Sequence, residues 1–320
     1  MESESKQVMQ KQKVEVFDIL KETVRMFLKN HNFIMFTILT SLPLFCLTFY
    51  FETSLQETLA ETSEILNGPP AYLRYYHQYS STDSIIGRFS KNYVLKLVQL
   101  GLIYLVPLHL LDLCSAIVTI DLASMLRSGE KKMTLKDMFQ KSFDMSNLRG
   151  TFVTSIFVQF LTNCHLLGLL YIVINYFVVL RYFRFYGLFA VVCSLGFAKL
   201  LRKYLEWSAM WNMSIVISIL EGMHGIDALV LSGYFNRGCQ RRGLFLMLPF
   251  FAWGHLLRIP CLHIGCYKSG NGIIVQAGLF CVVNLLKWVA CMIYFYDCKE
   301  RNLKKVVDEE LGKDIAVVHE

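Results

Sequence analysis

Three side chains sit where charge is costly. Asp112 lies near the middle of an apolar run, and His109 precedes it by three residues, which puts both on one face of a helix. Lys287 lies in a second apolar run with Asn284 three residues before it. A charge at the centre of a membrane helix costs roughly 2.5 to 3.5 kcal/mol on insertion scales, so each of these residues needs a reason. A proton or ion relay through His109, Asp112 and Lys287 is one reason, and it would make the chain a small-solute or proton-coupled transporter. A buried Asp112–Lys287 ion pair with a purely structural role is another, as is Lys287 reaching back to the membrane surface.

Other chemistry has no foothold in the residue spacing. The sequence has no H-E-x-x-H, no G-x-S-x-G, no P-loop and no zinc-spaced group of Cys and His. We therefore expect no enzyme, no catalytic residue, no metal and no cofactor. Of ten cysteines, most fall inside apolar runs, where Cys behaves as a small hydrophobe. Cys239 and Cys298 fall beside charged segments and are candidates for palmitoylation.

The elements that must position these residues are helices. Hydrophobic residues make up 54% of the chain, a value a soluble domain can reach, so their distribution decides the class. They gather into runs of the length needed to cross a bilayer. Six spans are expected: Phe33 to Phe51, Leu97 to Ile120, Phe152 to Leu180, Phe185 to Leu201, Leu244 to Leu262 and Gly272 to Tyr296. A long loop from Glu52 follows the first, opening with a short amphipathic stretch and passing through Gly68-Pro69-Pro70 and a tyrosine-rich segment. Residues 202–243 are broken by Glu206, Asn212 and Glu221, and we expect a continuing or surface-lying helix there. The fold class is thus an all-α polytopic bundle. It divides into a cytosolic amphipathic segment (1–32), a six-span membrane domain (33–296) and a cytosolic charged tail (297–320).

The formal net charge of +7 does not point to nucleic acid, because the basic residues flank the apolar runs instead of forming one patch. They set orientation and meet anionic lipid. The N-terminal tail, the loop after the second span, the segment after the fourth and the C-terminal tail hold 23 of the 32 lysines and arginines. These four segments are expected in the cytosol, with both termini inside. No short apolar stretch with a cleavage site opens the chain, so the first span is expected to be an uncleaved anchor. The sequon Asn212-Met213-Ser214 then falls on the cytosolic side.

Three of the cytosolic segments look alike. Phe17-Asp18-Ile19-Leu20-Lys21-Glu22-Thr23, Lys136-Asp137-Met138-Phe139-Gln140-Lys141-Ser142 and Ile226-Asp227-Ala228-Leu229-Val230-Leu231-Ser232 each carry Asp, two apolar residues, and Ser or Thr five positions after the Asp. The spacing suggests a threefold repeat of one in-plane amphipathic helix, a span out and a span back.

The third copy carries a resemblance. Glu221-Gly222-Met223-His224-Gly225-Ile226-Asp227-Ala228-Leu229-Val230-Leu231-Ser232, followed by Arg237-Gly238, resembles the E-x-x-x-G-x-x-A-L-x-x-S element of an uncharacterised plant multi-pass membrane protein family. Trp211 to Val216 and Phe17 to Thr23 resemble that family too. Related elements occur in prokaryotic membrane domains, including those fused to glycerophosphodiester phosphodiesterases. The resemblance implies a six-span integral membrane protein with no settled activity; we expect it in the endoplasmic reticulum, other endomembranes or the plasma membrane. No phosphodiesterase domain is present, so that activity does not carry over. On the residues alone, Glu221 can start a surface helix, Gly222 and Gly225 allow a bend, and Ala228 and Ser232 form a small face for close packing. Packing and ligand binding both remain readings of the element.

Overall fold

A computed structural model describes the backbone of residues 2–67, 91–128, 148–182, 187–265 and 270–318, and side chains at 16–63, 91–128, 148–176, 187–265 and 270–304. Among the described residues every regular element is a helix. In chain order these are α1 (Glu2–Lys29), α2 (His31–Thr40), α3 (Leu42–Asn67), α4 (Lys91–Ile103), a π-helical turn (Tyr104–Leu108), α5 (His109–Ser128), α6 (Leu148–Tyr182), α7 (Gly187–Leu220), α8 (Ile226–Phe235), α9 (Gln240–Ile264) and α10 (Asn271–Val318). Four helical stretches are long and apolar enough to cross a membrane: Lys91–Ser128, Leu148–Tyr176, Gln240–Ile264 and Asn271–Lys304. The bent pair α2–α3 makes a fifth if it is one span.

The first expected span is not straight. It bends by 51° between Thr40 and Leu42. Pro43 explains the break, because it has no N–H to give to the carbonyl four residues earlier and it restricts the residue before it. Ser41 bridges the gap, its hydroxyl donating to the Ile38 carbonyl at 2.9 Å. Nor does a loop begin at Glu52, for α3 continues unbroken to Asn67. Pro107 leaves its own mark in the π-helical turn, where a missing donor is absorbed by a wider local winding.

The chain forms two compact units. One comprises Met1–Phe36, Ile117–Phe251 and Leu285–Glu320, and the other Thr37–Ala116 and Ala252–Asn284. In the first, α6 packs along α7, and α8 packs on both. At 1.5 Å per residue, the 35 residues of α6 run for about 52 Å, well past a hydrocarbon core of about 30 Å. The excess is visible in what each end buries. Phe160, Leu167, Leu170 and Tyr171 of α6 and Leu188, Val191 and Leu195 of α7 are exposed, as suits lipid. The start of α6 buries Thr151, Thr154 and Ser155, and the end of α7 buries Trp211, Met213, Val216 and Ile217. Residues 209–218 therefore continue α7 into the interior.

A belt of charge separates the two halves of α7. Arg202 and Lys203 are exposed and Glu206 is buried, with Arg202 Nε 3.0 Å and Lys203 Nζ 2.8 Å from its carboxylate. Burial pushes the Glu206 carboxyl up, but the hydrogen bonds from Lys203 and Arg202 outweigh it and hold the group below its ordinary value. His165 stands edge-on to Trp207 and Trp211 with ring centroids 4.9 and 5.7 Å away. The core of this unit is α10, in which the eight residues from Trp288 to Phe295 are all buried. A helix that is covered on every side is the signature of an interior element.

Candidate functional site

The E-x-x-x-G-x-x-A-L-x-x-S element forms the connection from α7 to α8 and the body of α8. Glu221 ends α7 instead of starting a helix, and its carboxylate takes a hydrogen bond from Lys299 of α10. Gly225 caps α8 at φ +64°, a left-handed backbone that L side chains rarely adopt. Its N–H donates to Thr154 Oγ1 at 2.7 Å, which ties the cap to α6. Ser218 Oγ lies 2.8 Å from His224 Nδ1 and 3.2 Å from both Thr151 Oγ1 and Thr154 Oγ1. Ala228 and Ser232 are fully buried, and the Ser232 hydroxyl donates to the Leu229 carbonyl at 2.8 Å. Each position of the element thus has a packing reason: an ion pair, a special backbone angle, and two residues small enough for close approach.

The first and third copies of the repeat share this burial pattern. In α1, Asp18 is exposed, Ile19 is buried, and Thr23 is buried with its hydroxyl donating to the Ile19 carbonyl at 2.8 Å. In α8, Asp227 is exposed while Ala228 and Ser232 are buried. The second copy, residues 136–142, lies outside the described residues.

Just beyond α8, the Tyr294 hydroxyl donates to Asn236 Oδ1 at 2.7 Å and to the Cys239 carbonyl at 3.1 Å. Cys239 and Cys298, the two palmitoylation candidates, are both buried, which leaves no room for an acyl chain on the folded protein. A hydrogen bond with Cys298 lowers the Cys239 thiol, with Arg242 and Arg301 helping against the opposing effect of burial.

The intramembrane candidates divide between the two compact units. His109 and Asp112 open α5, directly after the π-helical turn, and both are half-buried. Asn284 Nδ2 donates to Asp112 Oδ1 at 2.6 Å. That residue pair belongs to the second unit. Lys287 belongs to the first, where its ammonium lies 4.3 Å from the centroid of the Trp288 ring.

Four residues that spacing along the chain does not gather form a connected polar group in the second unit. Glu52 of α3 is 1% exposed, and its carboxylate accepts from Arg258 Nε and Nη2 of α9. Gln276 of α10 donates to Glu52 Oε2 at 2.9 Å, and Gln56 of α3 donates to Gln276 Oε1 at 2.7 Å. The Arg258 guanidinium also lies 5.0 Å from the Phe280 ring centroid. A signal was present. Glu52 and Gln56 are one turn apart and directly follow an apolar run, so a helix that did not stop at Phe51 would carry both on one face.

Long apolar helices, outward-facing aliphatic side chains and buried polar pairs define a multi-helix protein suited to a membrane. The chain belongs to the DUF8558 family, a domain of unknown function, whose family model matches residues 1–319. No curated protein and no solved structure matches the chain.

Proposed function

We propose that this is a six-span integral membrane protein that holds the anionic leaflet of its membrane through α1, and that it serves as a lipid-associated or scaffolding component of endomembranes. The observation that carries this reading is the two-faced character of α1. Val16, Ile19 and Thr23 are buried in the first unit. Phe17, Val24 and Leu28 point away from it, 66%, 44% and 75% exposed. Lys21, Arg25 and Lys29 repeat every four residues beside that apolar line, and seven of the residues between Phe17 and Lys29, these three cations included, line one shallow groove. An apolar stripe edged by cations is what an interfacial helix uses to sit among anionic headgroups.

The sixth span in this reading is the start of α7 with its charged belt, Lys199 to Glu206, at the membrane edge. The distribution of basic residues favours both termini in the cytosol. The shared burial pattern of Asp18–Thr23 and Asp227–Ser232 supports the threefold repeat, and the resemblance to a plant multi-pass family supports an endoplasmic reticulum, endomembrane or plasma membrane setting. Hydrogen exchange of residues 16–29 in the full-length protein, in nanodiscs of neutral and of phosphatidylserine-containing lipid, tests the lipid reading. Slower exchange is expected with the anionic lipid, and equal exchange in both would sink it.

The alternative is a small-solute or proton-coupled transporter using Asp112 and Lys287. It draws on Asp112, which accepts a hydrogen bond from Asn284 on another helix. Solute or proton flux unchanged in both Asp112→Asn and Lys287→Met would remove it.

A further inference from the structure

The second unit contains a hydrogen-bond chain whose direction is fixed by its first member. Glu52 bears two acceptor oxygens, both already facing the Arg258 guanidinium. The group of Gln276 that meets Glu52 must therefore be its amide NH2, which turns Gln276 Oε1 toward Gln56. Gln56 must in turn present its own NH2 to Gln276. Neither amide can flip without setting oxygen against oxygen. The chain then ends on Gln56 Oε1, which has no hydrogen-bond partner among the described residues although Gln56 is only 1% exposed.

A buried acceptor left bare is costly, and the cost is greatest where hydrocarbon and not water lies around the unit. Glu52 and Arg258 already cancel each other's charge, so the chain offers no net field to hold an ion. What remains open is one amide carbonyl oxygen, and it calls for an N–H or O–H donor. The route to it is marked by Arg258, whose side chain is 40% exposed while Glu52 is 1% exposed. Asn284 and its partner Asp112 extend the polar line along α10, two turns from Gln276 on the same face. Away from that line α10 is apolar and open, with Val275 62% and Val282 47% exposed.

We propose that Gln56, Gln276, Glu52 and Arg258 form a binding site inside the membrane span for a small neutral solute that donates a hydrogen bond, water or a compound of the urea or polyol class. Gln56 Oε1 is the accepting atom, Gln276 and Glu52 hold its amide in orientation, and Arg258 neutralises the carboxylate and forms the wet end of the site. This inference stands independently of the lipid reading of α1.

Methanethiosulfonates react with thiolates, which persist only where water reaches them, so they report a wet site. The test uses full-length Gln56→Cys in nanodiscs, labelled with the small neutral reagent methyl methanethiosulfonate and read peptide by peptide; this change removes the accepting oxygen, so it reports whether water reaches the site and not which solute binds there. Residue 56 should react at least tenfold faster than Cys291, which is buried in the first unit. The solute class is read on the intact site, where a rise of the wild-type unfolding midpoint in glycerol that Gln56→Leu lacks identifies a polyol, and equal shifts in the two proteins identify water as the occupant. Labelling of residue 56 no faster than Cys291 overturns the proposal. If Gln56→Cys does not fold, the osmotic response of wild-type proteoliposomes decides. Faster water, urea or glycerol movement than in empty liposomes supports the site, and identical movement of all three overturns it.

Discussion

The His224 ring packs directly against Gly150, so closely that a β-carbon at residue 150 would stand inside the ring's van der Waals surface. The contact joins the start of α6 to the connection between α7 and α8. Gly150→Ala should therefore destabilise the protein by about 1 to 3 kcal/mol, the usual range for an overpacked interior. Unfolding in mixed micelles measures it. The double variant Gly150→Ala with His224→Ala should recover part of the loss, because the ring is the obstacle.

Gly225 owes its place to backbone geometry. At φ +64°, alanine should cost about 1 to 2 kcal/mol. Gly225→Asn should cost less than Gly225→Ala, because Asn tolerates the left-handed region better. Equal unfolding midpoints for the two variants would contradict this account of the element.

Arg258 and Glu52 form an unequal pair, one half-exposed and the other buried. Arg258→Met leaves the Glu52 carboxylate without its cation and should cost about 3 kcal/mol, near the lower end for breaking a buried pair. The double variant Arg258→Met with Glu52→Gln should lose less than Arg258→Met alone. A double-mutant cycle on unfolding free energies checks the coupling, and additive losses would show that the two side chains act separately.

Glu206 makes stability depend on acid. Its carboxyl is held below its ordinary value of 4.5 in the folded protein. The unfolded chain therefore takes up a proton first as pH falls. The contribution of Glu206 is complete above pH 4.5 and fades as pH drops through the lower folded value. Unfolding midpoints of wild type and Glu206→Gln should converge as the pH is lowered below about 4.5, and a constant gap would argue against the Arg202 and Lys203 contacts.

Much of the architecture could be read directly from residue order. Long apolar runs with charges between them give the all-α class and the approximate positions of the long helices. Helix ends were harder, because hydropathy changes where solvent changes and a helix need not stop there. The apolar run ends at Phe51 while α3 goes on, and that hid Glu52 and Gln56 in what read as a loop. The same holds for residues 209–218, whose polar interruptions mark a move from lipid to protein interior. Pairing across helices left the weakest trace. Asp112 and Lys287 are opposite charges on different helices, and spacing along the chain cannot tell which helix faces which. The hydrogen bond to Asp112 comes from Asn284, three residues from the lysine, and Gln276 drew no notice in its apolar run.

The most direct test of the central claim, that α1 lies on an anionic leaflet, is quenching of a tryptophan introduced at Leu28 in the full-length protein. Its emission is taken as the difference from wild type in nanodiscs containing brominated phosphatidylserine. The account predicts blue-shifted emission that the brominated lipid quenches, with the quenching lost in the background of Lys21→Gln, Arg25→Gln and Lys29→Gln. Emission from residue 28 that stays red-shifted and unquenched would contradict it.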